Sequence, residues 1–308
     1  MRAAATTSAA KSNRHADSGF VLVAVLWILA ALATLASIDS VYVVNSAAGS
    51  HVADDRVQAE ASIRAGVEMT AFQELAVSEL ARPSLGAFDL RVGRTSVTVR
   101  FRSEAARVDL NAAPADLLAG LFAAVGVDVT HARAFADRVI GWRTKADANG
   151  LSKEAKLYAE QRVGYPPRQA PFDDALELSL LPGIPEPVVE RVLPFVTVYS
   201  GRSAIDVASA DPMVLSALPG MTNQILGAVL EASANNPGDG RALLELLGPA
   251  KGRASADRSK AFRADVDVEF DNGRRVHAEV VFRLKDAGAE PYDLLDWRDD
   301  FDGPGDSG

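Results

Sequence analysis

The spacing of apolar positions changes twice along this chain, and each pattern predicts a different kind of element. From Phe20 to Ile38 there are 19 consecutive residues without a charge. At about 1.5 Å per residue, a helix of that length roughly matches the ~30 Å hydrocarbon core of a bilayer. After Asp39 the uncharged stretch resumes as far as Gly49. The spacing then becomes that of an amphipathic helix. Ile63, Val67, Ala71 and Leu75 form an i, i+4 row with Phe72 and Leu80 beside it, while Asp54, Asp55, Arg56, Glu60 and Arg64 fall on other faces. Pro83, with Gly86 soon after, ends the pattern. Read as one element, residues 20–82 make a helix of roughly 90 Å whose first part, 20–42, spans a membrane. The alternative is two helices broken near Gly49.

Period-two alternation follows. Phe88, Leu90 and Val92 precede Gly93-Arg94, and Val97, Val99 and Phe101 come after it, which predicts a β-hairpin. A second hairpin lies near the far end. Phe262, Ala264, Val266, Val268 and Phe270 alternate up to Asp271-Asn272-Gly273, and Val276, Ala278, Val280, Phe282 and Leu284 return. Asn-Gly between alternating runs is the strongest short hairpin signal. The sheet is therefore expected from residues 83–108 and 256–285, flanking a helical insertion at 109–255.

The insertion repeats itself. Asp109-Leu110-Asn111-Ala112-Ala113-Pro114 leads into one apolar helix, and Asp206-Val207-Ala208-Ser209-Ala210-Asp211-Pro212 into another, each opened by a polar cap and a proline. Leu181-Pro182-Gly183-Ile184 and Leu218-Pro219-Gly220-Met221, 37 residues apart, each precede a helical pattern. Such turns resemble the helix-hairpin-helix motif, in which Gly allows the bend. The stretch 286–308 holds eight acidic residues and one arginine, and reads as a disordered acidic tail. The fold class is α+β: a long N-terminal helix, a small antiparallel sheet and an inserted helical domain.

Composition narrows the chemistry. The chain carries a formal charge of −9 and no cysteine, which excludes disulfides, zinc-thiolate sites and a cysteine nucleophile. An acidic surface repels nucleic acid phosphates. Around the two hairpins, Glu186 and extra prolines stand where a phosphate-binding motif needs cations, so the motif is read as packing geometry. The four histidines, His15, His51, His131 and His277, show no metal-ligand spacing, and no Walker or nucleophile-elbow motif occurs. No enzyme is expected. Asp147-Ala148-Asn149-Gly150 supplies oxygen ligands on a Gly-containing loop, so Asp147 and Asn149 are candidate calcium ligands, with a solvated turn as the alternative.

Residues 1–19 carry Arg2, Lys11 and Arg14, and Ser18-Gly19-Phe20 stands directly before the apolar run. The junction resembles a type IV prepilin leader, which implies cleavage by a membrane peptidase between Gly19 and Phe20 and methylation of the new amine. A secretory signal peptide cut near Ala33 or Ala36 and a plain signal anchor are the alternatives. All three place the N-terminus in the cytoplasm and the bulk in the periplasm, because the positive charges precede the span and acids follow it.

Taken together, these pieces resemble one family, the minor pseudopilin K of bacterial type II secretion. The resemblance rests on Gly19 through Ala30, on Asp109 through Pro114, on Ile140-Gly141-Trp142-Arg143, on Leu181-Pro182-Gly183, on Leu193 through Tyr199 and on Leu218-Pro219-Gly220. It implies a pilin-like fold, an inner-membrane location, and a place at the tip of a periplasmic pseudopilus with the minor pseudopilins I and J as partners. Calcium is bound by some members. Here Arg143-Thr144-Lys145 follows Trp142 where the family is more acidic. The resemblance also puts the partner surface on the amphipathic half-helix, here Ile63, Arg64, Val67, Ala71 and Leu75. Counting Phe20 as the first mature residue, the fifth is Ala24, where pilins carry a glutamate that neutralises the amine of the subunit ahead. A membrane-anchored helix-hairpin-helix receptor for DNA uptake is the alternative function.

Overall fold

The computed structural model of the chain describes residues 16–145, 153–236 and 239–301. Residues 1–58 form one compact unit and residues 59–308 a second. Helix α1 (Ala16–Ala76) supplies every described residue of the first unit and opens the second; it continues through Gly49. In the first unit, Leu22, Leu26, Trp27 and Leu29 are exposed. Among the described residues no helix is long and apolar enough to cross a membrane. The run expected to do so has described side chains only from 22 to 35.

The second unit centres on a five-stranded antiparallel sheet. Its strands are β1 (Leu85–Val92), β2 (Thr95–Ser103), β7 (Ala261–Phe270), β8 (Arg275–Leu284) and β9 (Tyr292–Asp299), in the spatial order β1-β2-β7-β8-β9. Val97, Val99 and Phe101 of β2, Phe262, Ala264, Val266 and Val268 of β7, and Val276, Ala278, Val280 and Phe282 of β8 turn one face inward. Ala59, Ile63, Val67 and Ala71 of α1 pack on that face with at most 1% exposure. Each buried Val or Ile there contributes on the order of 1.5–3 kcal/mol. The fifth strand differs from the expected tail. The 286–308 stretch is not wholly tail, because Tyr292, Leu294 and Trp297 pair with Leu284, Phe282 and Val280 of β8. A register shift between Val281 and Phe282 breaks the alternation that would have revealed β9 in the sequence.

Between β2 and β7 the chain builds a second hydrophobic core. Its elements are β3 (Val108–Asp109), α2 (Ala115–Ala124), α3 (Val129–Arg143), α4 (Lys153–Glu160), α5 (Glu186–Val192), β4 (Val196–Thr197), β5 (Ile205–Asp206), α6 (Pro212–Ser216), α7 (Asn223–Asn235), α8 (Gly240–Leu246) and β6 (Ala254–Ser255). β3 pairs in parallel with β4, and β5 in parallel with β6. At each start an aspartate closes the turn. Asp109 Oδ1 accepts from the amides of Asn111 and Ala112 at 2.7 and 3.0 Å, and Oδ2 from Ser200 Oγ and the Gly201 amide. Asp206 accepts from the Ala208 amide and from Ser209 Oγ. Asp109 thus shapes the turn ahead of α2 rather than capping the helix, whose N-cap is Pro114 with no side-chain bond. Gly183 and Gly220 stand at φ +86° and +83°, the left-handed bend that the two Leu-Pro-Gly turns need.

Two buried carboxylates lie where the sheet meets its surroundings. Glu104, just past β2, accepts from Arg263 Nε at 2.7 Å and also from the Thr197 hydroxyl of β4. Arg263 in turn pairs with Glu279 of β8. Burial pulls the Arg263 guanidinium down, but Glu104 and Glu279 hold it above its ordinary value. Farther out, Arg283 Nη2 donates to the Tyr199 carbonyl at 2.7 Å, and Arg298 meets Asp174 at 2.9 Å. At the end of α1, Glu74 is fully buried, yet neither carboxylate oxygen has a hydrogen-bond partner among the described residues. Arg82 Nε donates to the Glu74 main-chain carbonyl at 3.0 Å and stands 3.9 Å from Oε2. Burial pushes the Glu74 carboxyl up to about 7 against the opposing pull of Arg82 and Arg258.

Candidate interaction surface

Helix α1 presents two apolar faces within the second unit. The one legible as an i, i+4 row is the core. Ile63, Val67 and Ala71 are buried against the sheet. Leu75 is 39% exposed, and the side chain of Arg64 is exposed as well. The accessible apolar flank is displaced by about half a turn. It runs through Ala61, Ala65, Met69, Phe72 and Ala76, of which Phe72 is 68% exposed. This spacing keeps the stripe on one side of the helix. The only hint of it in the sequence was Phe72 beside the core row.

A separate groove lies between α1 and β9. Arg64, Val67, Glu68, Pro291, Tyr292, Leu294 and Trp297 are among the residues lining this open groove of about 450 Å³. Arg64 is held there by Glu60 at 2.9 Å, and its guanidinium lies 5.7 Å above the Trp297 ring. Such a cation–π contact keeps a long side chain ordered at the surface. Leu294 is 49% exposed and gives the groove apolar surface on the β9 side. Burial raises the Tyr292 phenol, with Glu68 adding to the effect, so its hydroxyl stays protonated at neutral pH. An amphipathic surface of this kind, apolar with a polar rim, is suited to protein association.

The other site residues predicted from sequence fall elsewhere. Gly19 and Phe20 lie within the backbone of α1, but their side chains lie outside the described residues. Asp147 and Asn149 also lie outside them, and among the described residues no group of three or more acidic or histidine side chains is set to hold a metal. The motifs in the insertion lock one another in place. Arg143 donates from Nη1 to the Leu110 carbonyl and from Nη2 to that of Ala113 at 2.6 Å, joining the Trp142-Arg143 segment to the Asp109 turn. Trp142 Nε1 donates to Glu177 at 2.9 Å, and Asn111 bonds both the amide and the carbonyl of Phe172. Leu181 and Leu218 of the two hairpins are buried, and Arg191 donates its Nε to the Val125 carbonyl. These residues serve packing.

The architecture defines a helix-on-sheet protein with a helical domain inserted between sheet strands. Residues 99–201 match the model of the type II secretion system protein K family. The fold is that of a chain in the crystal structure of the GspK-GspI-GspJ complex from the type 2 secretion system of enterotoxigenic Escherichia coli. The two align with a TM-score of 0.55 at 16% identity, over 79% of this chain and 99% of that one. No curated protein matches the sequence.

Proposed function

We propose that this chain is a minor pseudopilin of a type II secretion system, which caps the tip of the pseudopilus and helps initiate its assembly. The observation that carries this reading is the protein K match over 99–201. The likeness to a chain of a three-pseudopilin complex supports it, and so does the unburied stripe from Ala61 to Ala76. On this reading the partners are the I and J subunits, seated against that stripe and the adjoining β9 groove. The Phe20–Ile38 run anchors the chain in the inner membrane with the second unit in the periplasm. Prepilin peptidase cuts between Gly19 and Phe20. Ala24 suits a terminal position, because a carboxylate in the membrane is costly without the amine of a subunit ahead. The segments opened by Asp109 and Asp206 are copies of one unit. The role is assembly, not catalysis.

Co-expression of the full chain with its I and J counterparts tests the assignment. A ternary complex should co-purify from membranes, and Phe72→Glu together with Met69→Glu should weaken it at least tenfold while leaving the circular dichroism spectrum unchanged. Failure to co-purify with either counterpart, or strong salt-dependent binding of duplex DNA, would overturn it. Intact-mass analysis should find Phe20 at the mature N-terminus.

A further inference from the structure

The outer face of the sheet, opposite α1, holds a concentration of positive charge that the fold does not use up. A cleft of about 490 Å³ opens where β1 and β2 meet the turn at 104–107, and Arg100, Arg102, Arg107 and Arg263 line it together with Glu104 and Asp265. Two of the four guanidiniums are committed. Arg263 is held by Glu104 and Glu279, and Arg100 reaches Asp267 at 2.6 Å. Arg102 and Arg107 make no ion pair and no side-chain hydrogen bond with any described residue. Arg107 is only partly exposed; its burial and then Arg263 lower its affinity for its proton, and the nearby Glu104, Glu279 and Asp265 offset this only in part. A half-buried cation with carboxylates nearby but none bonded to it is an expensive arrangement, and an anion bound directly to it relieves the cost.

The lining also selects among anions. Glu104 and Asp265 share the cleft, so a doubly charged anion meets more repulsion than a single carboxylate does. Burial raises Asp265, and Glu279 raises it further, which reduces that repulsion for a monoanion. Leu85 and Ala87 give the mouth an apolar side suited to a side-chain stem. The planar guanidinium fork matches a carboxylate in two-point geometry. β1 is an edge strand, so the cleft lies beside backbone groups that no neighbouring strand pairs.

We propose that Arg102 and Arg107 form a carboxylate-binding site that receives an acidic side chain of a partner polypeptide at the β1 edge. This site lies on the face of the sheet away from the α1 stripe and does not depend on the assembly role. The test uses the full chain in neutral detergent, titrated with acetyl-Ala-Glu-Ala-amide, with acetyl-Ala-Gln-Ala-amide and with sodium sulfate, followed by the Arg Nε–Hε resonances and by calorimetry. The Glu peptide should bind at least tenfold more tightly than the Gln peptide. Arg107→Gln and Arg102→Gln should each weaken it at least fivefold, while Arg94→Gln leaves it unchanged. Because Arg102 is exposed, its variant decides the matter if Arg107→Gln does not fold. Equal binding of the two peptides, or unaltered binding in the Arg102→Gln chain, sinks the proposal. Tighter binding of sulfate than of the Glu peptide overturns the assignment to a carboxylate.

Discussion

Glu104 and Glu74 are both buried carboxylates beside an arginine, and they mark two kinds of seam. Around Glu104 the charges are close and bonded: Arg263 at 2.7 Å, the Thr197 hydroxyl, and Glu279 on the far side of the arginine. Around Glu74 the arginine is turned to the main-chain carbonyl, and the carboxylate oxygens are left without hydrogen bonds among the described residues. The physical outcomes are opposite. The bonded charges around Glu104 include Arg263, held above its ordinary value, whereas the unbonded Glu74 carboxylate takes up a proton near neutrality. The first seam fastens the helical insertion to the sheet through directly bonded groups. The second, at the end of α1, answers to pH.

The comparison can be broken most severely at the first seam. Glu104→Ala leaves Arg263 buried with half its partners, so stability in urea denaturation should fall by about 3–5 kcal/mol, the usual effect of halving a buried pair. Adding Arg263→Met should restore part of that loss.

At the second seam the effect lies in the pH dependence. The Glu74 carboxyl stands at about 7 when folded, against 4.5 for the free side chain. A raised acid holds its proton better in the native state, so stability is highest below 4.5 and falls as pH rises through 7. The loss is on the order of 3 kcal/mol. Glu74→Gln should flatten that slope, as read from urea midpoints at pH 5 and pH 8. An unchanged slope in the variant would place the titration elsewhere.

A smaller effect is expected farther out on the first seam. Arg283→Ala removes one exposed donor to the Tyr199 carbonyl and should cost about 1 kcal/mol. The smallest is expected on the α1 stripe. Phe72→Glu, at a position 68% exposed, should change monomer stability by less than about 0.5 kcal/mol while still disrupting association.

What could be read in advance follows from the range of the interactions. The two hairpins and the row Ile63, Val67 and Ala71 are written in local period and turn residues, and β7 meets β8 around Asn272-Gly273 in the expected alternation. β9 was hidden because it carries an extra residue, Leu295, opposite Val281-Phe282 of β8, and because Asp293, Asp296 and Asp299 make it look like solvated tail. The two faces of α1 could not be told apart, since Ala61, Ala65, Met69 and Phe72 are as periodic as the core row. Only the position of the sheet decides which row is covered. The seams were out of reach for the same reason: Glu104 and Thr197, or Glu104 and Arg263, are neighbours only after folding. Arg143 was quoted as part of a motif, but nothing local indicated that it would grip the Leu110 and Ala113 carbonyls.

The central pairing of the sheet also sets the order in which the molecule is made. Ser103 lies opposite Phe262, so β2 waits for residues 104–260 to be synthesised before its main neighbour exists. Closing a loop of that size is entropically slow unless the intervening chain is already compact. The insertion, with its own core and locally closed aspartate turns, condenses first and brings the ends of β2 and β7 together. Until that moment the apolar row of α1 lacks β7 and β8, with only the β1–β2 hairpin available to cover it. Nascent chains therefore pass through a stage in which a helix built for burial stands open to chaperones, and the pace of that stage is governed by how quickly the insertion folds.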